Sequence, residues 1–296
     1  MKRIACIVVV ADAGTEQHAL ARAQEIARTT GATIELVAFA YDSAVADNPR
    51  LAARDRRLAT QRLVEERRKA LGRHVREGGG HVSLRVVWTR RLAEWLCANV
   101  EPLGGDLVVK TNHPSGRPWY LPSDWYLMRE LSVPLLLVNA DAPRGGRGAV
   151  AALNAAARSA RARAIDRNVL AAAGWWTRTF GGPAHAAYVH EVPPLPLDLG
   201  IVERRAYLRR QERIARERLA SRLRARPRGV AFRGHAVLGR PGRVLPKLVR
   251  TLRPAVTVMG TAARTGLPRF FVGSTAEAVI PALGTDVLVV KPGGRR

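Results

Sequence analysis

The stretch "VMGTAARTGLPRFFVGSTAEAVIPALGTDVLVVKP", Val258 to Pro292, lies almost at the end of a 296-residue chain. An apolar strand ends at Met259, a loop starts at Gly260, Gly273-Ser274-Thr275 opens a helix, and "DVLVVKP" is a second strand. Glycine has no Cβ, so at Gly260 it lets a ligand approach the backbone and permits positive φ. The start of a helix presents free N–H groups and partial positive charge to an anion, and Ser274 and Thr275 add hydroxyl donors. The same residues also read as a capping box, Ser274-x-x-Glu277. Phosphate anchor and simple helix cap both stand at this point.

Outward from this unit, the chain repeats itself with a period near 150 residues. Each half opens on an apolar strand, Ile4–Asp12 and then Gly148–Asn154, followed by an Ala/Arg-rich helix, Thr15–Thr30 and Ala156–Trp176. Gly31 and Gly182 lead into "GATIELVAFAYD" and "GPAHAAYVHEV"; second long helices follow at Pro49–Glu77 and Glu203–Arg226. Val82–Trp88 then matches Val230–Gly239, Asp106–Lys110 matches Ala255–Gly260, and Val133–Asn139 matches Asp286–Pro292. The pattern predicts five strands and four helices per half. Strands that are apolar nearly throughout, alternating with helices, imply an open parallel sheet covered on both faces. The Pro/Gly-rich "NADAPRGGRG", Asn139–Gly148, reads as a linker. The expected domains are residues 1–143 and 144–296.

Charge divides the halves. Residues 1–143 carry 20 Lys and Arg against 16 Asp and Glu, net +4; residues 144–296 carry 29 against 8, net +21. A basic half attracts polyanions, while an Arg-rich composition produces the same excess without a nucleic-acid partner. Leu208, Ala215, Leu219 and Leu223 form an apolar stripe at helical spacing, with the arginines of this segment mostly off it. Ile4–Ala11 is far shorter than the roughly 18–20 apolar residues of a membrane span. It meets Asp12 and Glu16 rather than a cleavage site, so it reads as a buried strand. Two cysteines, Cys6 and Cys97, form neither a disulfide framework nor a zinc site. No metal is expected, and a reducing cytoplasm is the expected compartment. The seven histidines are scattered without a partnered nucleophile. His190 reads as a surface residue at a strand end, and Trp175-Trp176 as a buried helix end with base stacking as its rival.

Gly260-x2-Ala263-x9-Gly273-Ser274 resembles the nucleotide-binding signature of the universal stress protein family, G-x2-G-x9-G-(S/T). "GRPGRVLPKLVRTLRPAVTVMG", Gly239–Gly260, resembles that family's Gly-x-Pro, helix and strand passage. The likeness runs through both halves. "VVW" at Val86–Trp88, "DLVVK" at Asp106–Lys110 and "SDW" at Ser123–Trp125 resemble the E-type tandem members most.

The resemblance implies two tandem α/β domains of the adenine-nucleotide α-hydrolase-like type, each an open parallel five-stranded sheet in strand order 3-2-1-4-5. It implies pairing of the two domains within the chain, with a further homodimer as an extension. It implies a stress-response protein that binds ATP or a related adenine nucleotide and signals or protects; slow nucleotide hydrolysis is the most activity that the residues allow, since positioning phosphates near water is part of that chemistry. Carried over, Gly260, Ala263, Gly273, Ser274 and Thr275 would face phosphates and ribose. Asn154 stands where the family has Asp, and Val189 and Met259 would sit near the base. Ala263 departs from the signature glycine and Asn154 lacks the carboxylate, which leaves room for a different acylated or apolar ligand. In the first half Thr111 replaces Gly260, Pro114 replaces Ala263, and Leu121-Pro122 fall near Gly273-Ser274. Proline offers no N–H, so the first copy reads as degenerate. Nucleic-acid association through the basic C-terminal half is the rival class.

Overall fold

The computed structural model describes residues 3–78, 81–112, 123–142, 145–193, 203–261 and 274–291. These form two compact units, one of residues 3–112 with 123–138, the other of residues 139–291.

In the first unit the strands are β1 (Cys6–Val10), β2 (Thr33–Ala40), β3 (Val82–Trp88), β4 (Leu107–Thr111) and β5 (Leu135–Val138). The helices between them are α1 (His18–Thr30), a single turn α2 (Ser43–Ala46), α3 (Ala53–Glu77), α4 (Leu92–Asn99) and α5 (Ser123–Glu130). The strands run parallel in the order β3-β2-β1-β4-β5. Ile7, Val8, Val9, Val108 and Val109 are fully buried, as central strands covered on both faces must be.

The second unit has β6 (Ala149–Ala152), α6 (Ala160–Phe180), β7 (Ala184–His190), α7 (Arg204–Leu223) and β8 (Phe232–Leu238). It continues with α8 (Pro241–Leu252), β9 (Val256–Gly260), α9 (Ser274–Val279), a short 3-10 turn and β10 (Asp286–Val290). Its parallel order, β8-β7-β6-β9-β10, repeats the first. Gly148 enters β6 at φ +77, and a Cβ there would sit 2.0 Å from the Pro183 carbonyl oxygen. Only glycine fits so close a crossing.

Helix ends differ from the sequence expectation for local reasons. Ser159 caps α6 through its hydroxyl, which accepts from the Ala162 N–H at 3.1 Å, and the helix continues to Gly181. Trp176 therefore lies within α6, is 2% exposed and packs on Phe180 at a ring-centroid distance of 4.7 Å. This contact settles the role of Trp176 as packing. Helix α7 starts where the Glu203 carboxylate accepts from the N–H groups of Arg205 and Ala206. It buries Ala215 and Leu219, as its apolar stripe requires.

Strand β8 lies beside β7, and across that pair His185 Nδ1 and His235 Nε2 are 2.9 Å apart. Burial pushes both imidazoles below their ordinary value of 6.5; His235 adds to the effect on His185, and Arg233 adds to both. A group whose folded pKa is depressed takes up its proton more readily unfolded, so its contribution falls as pH drops below 6.5. The urea midpoint of the wild type should therefore fall between about pH 7 and pH 5 by more than that of His235→Gln. Equal falls in the two proteins would show that the pair does not carry this dependence.

Candidate functional site

An open parallel sheet takes ligands beyond the carboxyl ends of its strands, where neighbouring crossovers leave in opposite directions. Here these points lie between β1 and β4 and between β6 and β9. The two are matched by register. Ala11 donates to Val37 and Leu153 to Ala187, each at 2.9 Å, so Asp12 corresponds to Asn154. Thr111 pairs with Val138 and Gly260 with Val290, so these correspond too.

The first point is filled by its own side chains. The buried Asp12 carboxylate accepts from the Thr111 hydroxyl at 3.0 Å and from the Ala19 N–H at 3.4 Å. The Gln17 amide closes a ring on the Asp12 backbone, accepting from its N–H at 2.9 Å and donating to its carbonyl at 3.1 Å. Arg67 reaches in from α3 and donates to the carbonyls of Asp12 and Ala13. Burial lowers the pKa of this guanidinium, and the nearby Asp12 charge opposes the shift. Beside Thr111, Lys110 Nζ lies 2.8 Å from Asp124 Oδ1 on α5, with both side chains under 10% exposed. Asp12 is thus committed to its own chain.

The second point is built differently. Helices α1 and α6 both end four residues before the matching strand positions Ile34 and Ala184, yet α6 has 21 residues against 13. The longer helix carries Ile165 against Gly260 at the end of β9 and Asp166 beside the Asn154 N–H after β6. A Cβ on Gly260 would stand 2.0 Å from Ile165 Cγ2 and 3.3 Å from Val169 Cγ2. Gly260 is extended strand backbone without positive φ. Its missing side chain makes room for Ile165, whereas the sequence reading gives that room to a ligand.

Asp166 is buried and holds the turn after β6. Its Oδ1 accepts from the Asn154 N–H at 3.0 Å, and its Oδ2 lies 2.8 Å from Arg222 Nε on α7. Arg222 also donates to the Ala157 carbonyl. Burial pushes the Asp166 carboxyl up, while the Asn154 N–H and the Arg222 guanidinium pull it back. The main chain of Asn154 is therefore anchored while the residue as a whole is exposed. Polar bridging comparable to Asp12–Thr111 is impossible here, because Gly260 has no side chain to offer.

Of the other expected site residues, Met259 is buried on β9 between Ala152 and Val289, and Val189 is half-buried on β7 opposite Val237. Ser274 and Thr275 open α9. Ala263 and Gly273 lie outside the described residues. His190 corrects the sequence reading: it is 6% exposed rather than a surface residue. Its Nδ1 is 2.9 Å from the Tyr188 hydroxyl and its Nε2 2.9 Å from Gln211 Oε1, tying β7 to α7. Ile165, Asp166 and Arg222 were not legible as site residues. The available signal was Arg222 falling on the face of α7 that carries Ala215 and Leu219, not on its cationic exterior. Among the described residues no cluster of three or more His, Cys, Asp or Glu could hold a metal ion, and no helix is long and apolar enough to cross a membrane.

The universal stress protein family model matches residues 5–139 and again 149–291. Universal stress protein E of Salmonella typhi is 27% identical over 303 residues, covering 97% of this chain and 93% of that protein. A universal stress protein E homolog of Haemophilus influenzae is 25% identical and covers 97% and 96%. A solved structure of a putative universal stress protein from Pseudomonas aeruginosa superposes with a TM-score of 0.66 at 26% identity, covering 98% of this chain and 94% of that one. A universal stress protein from Archaeoglobus fulgidus reaches 0.64 at 14% identity, covering 97% and 96%, a likeness of fold.

Two measurements check the contrast between the points. Gly260→Ala should cost about 1–3 kcal/mol of stability through overpacking, and an Ile165→Ala background should suppress most of that cost. Additive effects in denaturant titration would show that the two positions do not share the space. Lys110→Met alone should cost about 3–5 kcal/mol by stranding the Asp124 carboxylate, and adding Asp124→Leu should recover most of it. A double variant no more stable than the single one would refute a pair held by mutual compensation.

Proposed function

Because the chain belongs to the universal stress protein family, we propose that it is a tandem stress protein whose second copy binds ATP or a related adenine nucleotide. It acts by binding, as a signalling or protective protein, rather than by turnover. It works in a reducing compartment, where Cys6 and Cys97 remain the free thiols that they are here.

The observation that carries this reading is the difference between the two switch points. Asp12, Gln17, Thr111 and Arg67 occupy the first with mutual hydrogen bonds. The second has no such bridge, and Asn154 is exposed at its edge. Ile165 takes the inward side of Gly260, so the phosphates fall to the N–H groups that open α9 and to the segment before it, including Ala263 and Gly273. A helix start suits them because its first N–H groups have no partners within the helix. Met259 and Val189 supply apolar surface for the base. The nucleotide brings the anionic group; the chain contributes donors and an apolar wall.

The test is a calorimetric titration of the full chain with ATP, comparing wild type with Gly273→Val. A side chain at the turn should weaken binding by about tenfold or more, or some 1.4 kcal/mol, with an unchanged thermal midpoint. Equal affinity in both proteins would sink the assignment of the turn, and no heat from the wild type would sink the nucleotide itself.

A further inference from the structure

The net charge of +21 on residues 144–296 is not spread evenly over the surface of the second unit. Between Glu203 and Arg228 the sequence holds 11 Arg and three Glu. Helix α7 turns Ala215 and Leu219 inward, together with Arg222, which is bound to Asp166. Arg205, Arg209, Arg213 and Arg216 are exposed and fall at steps of four, four and three residues, along one outward stripe. At 1.5 Å per residue the stripe is about 16 Å long, with successive guanidinium groups about 6 Å apart along the axis. Arg224 and Arg226 are exposed just beyond it, and Arg233 is exposed on β8.

Two acidic residues stand near the stripe. Glu217 is 3.9 Å from Arg213 and Glu212 is 3.6 Å from Arg216, with all four side chains at least half exposed. Exposed pairs of this kind are worth about 0–1 kcal/mol and open at little cost when a stronger anion arrives. The face is therefore net positive, which raises local polyanion concentration and encounter rates. Composition alone does not account for it: the second half has 8 acidic residues where the first has 16. Solubility does not require it either, since charge of either sign serves that purpose.

We propose that the outward face of α7 is a docking surface for the phosphate backbone of duplex DNA, bound without reading sequence. About ten duplex phosphates occur over the length of the stripe, at one per 1.7 Å of axis. Planar guanidinium groups suit phosphate oxygens, which they can grip with two parallel hydrogen bonds. Between Arg204 and Leu223 the exposed positions are Arg, Glu, Ala and Ser. Tyr207 is half-buried, its hydroxyl donating to the Pro193 carbonyl at 3.2 Å. Exposed aromatic rings for stacking single-stranded bases are absent from this face. So are the large apolar groups that an interfacial helix would bury in a membrane. This inference does not depend on the nucleotide reading of the α9 loop.

The test is fluorescence anisotropy of a labelled duplex of about 30 base pairs titrated with the full chain from about 50 to 200 mM salt. Wild type should bind with log K falling against log salt at a slope of about −4 or steeper. The variant Arg205→Gln/Arg209→Gln/Arg213→Gln/Arg216→Gln should flatten that slope by about 3 or more and weaken binding at least tenfold, with its thermal midpoint kept. Arg54→Gln/Arg57→Gln/Arg62→Gln/Arg68→Gln removes equal charge from exposed positions on α3 and should leave the slope near that of the wild type. The four Arg→Lys changes on α7 should retain most of the slope, which keeps the test decisive if the Gln variant does not fold. No binding at the lowest salt, equal losses from the two Gln variants, or tighter binding to anionic vesicles than to the duplex would each overturn the proposal.

Discussion

Where two crossovers leave a parallel sheet in opposite directions, the strand ends between them lack helix cover, and the gap has to be closed by something. The rest of this molecule is arranged around how that is done. Between β6 and β9 the closure is a steric fit: Ile165 occupies the volume that a side chain on Gly260 would need. That fit is made by α6, which is eight residues longer than its counterpart α1. The added turns hold because Asp166 binds both the Asn154 main chain and Arg222. One glycine, one aliphatic side chain and one buried ion pair thus form a single unit. Removing the ion-pair partner would leave a buried carboxylate uncompensated, which is far costlier than losing an exposed pair.

The first copy solves the same problem with hydrogen bonds. Asp12 and Thr111 span the gap, and Gln17 and Arg67 tie down the backbone after β1. Polar closure of this kind is rigid, because every buried group that loses its partner is penalised. Apolar closure is more permissive: Ile165 leaves no polar group stranded if it shifts. Two copies of one plan have in this way acquired different mechanical characters, and the division of labour proposed between them follows from that difference.

Helix α7 links the two themes of the second unit. Its inward face carries Gln211 to His190 and Arg222 to Asp166, so it braces β7 and the start of α6 at once. Its outward face carries exposed arginines. Arginine serves both faces because its guanidinium can be buried against a carboxylate or left in water for a phosphate. A count of arginines in the sequence cannot separate the two uses.

The sequence by itself determined the repeat and the parallel character of both sheets, and its resemblance to the universal stress proteins implied the strand order and the family. The repeat and the parallel sheets follow from periodic apolar runs and short glycine-marked turns, which act locally and leave a local trace. The signature around Gly260 and Gly273 was legible for the same reason. Only the tertiary structure decided what Gly260 is packed against, that His190 is interior, and that Arg222 belongs to a buried pair rather than to the basic surface. Each of those depends on residues far apart in the chain: 95 positions separate Ile165 from Gly260 and 56 separate Asp166 from Arg222. No local pattern records which distant side chain fills a given space, because that is fixed by close packing of the whole unit.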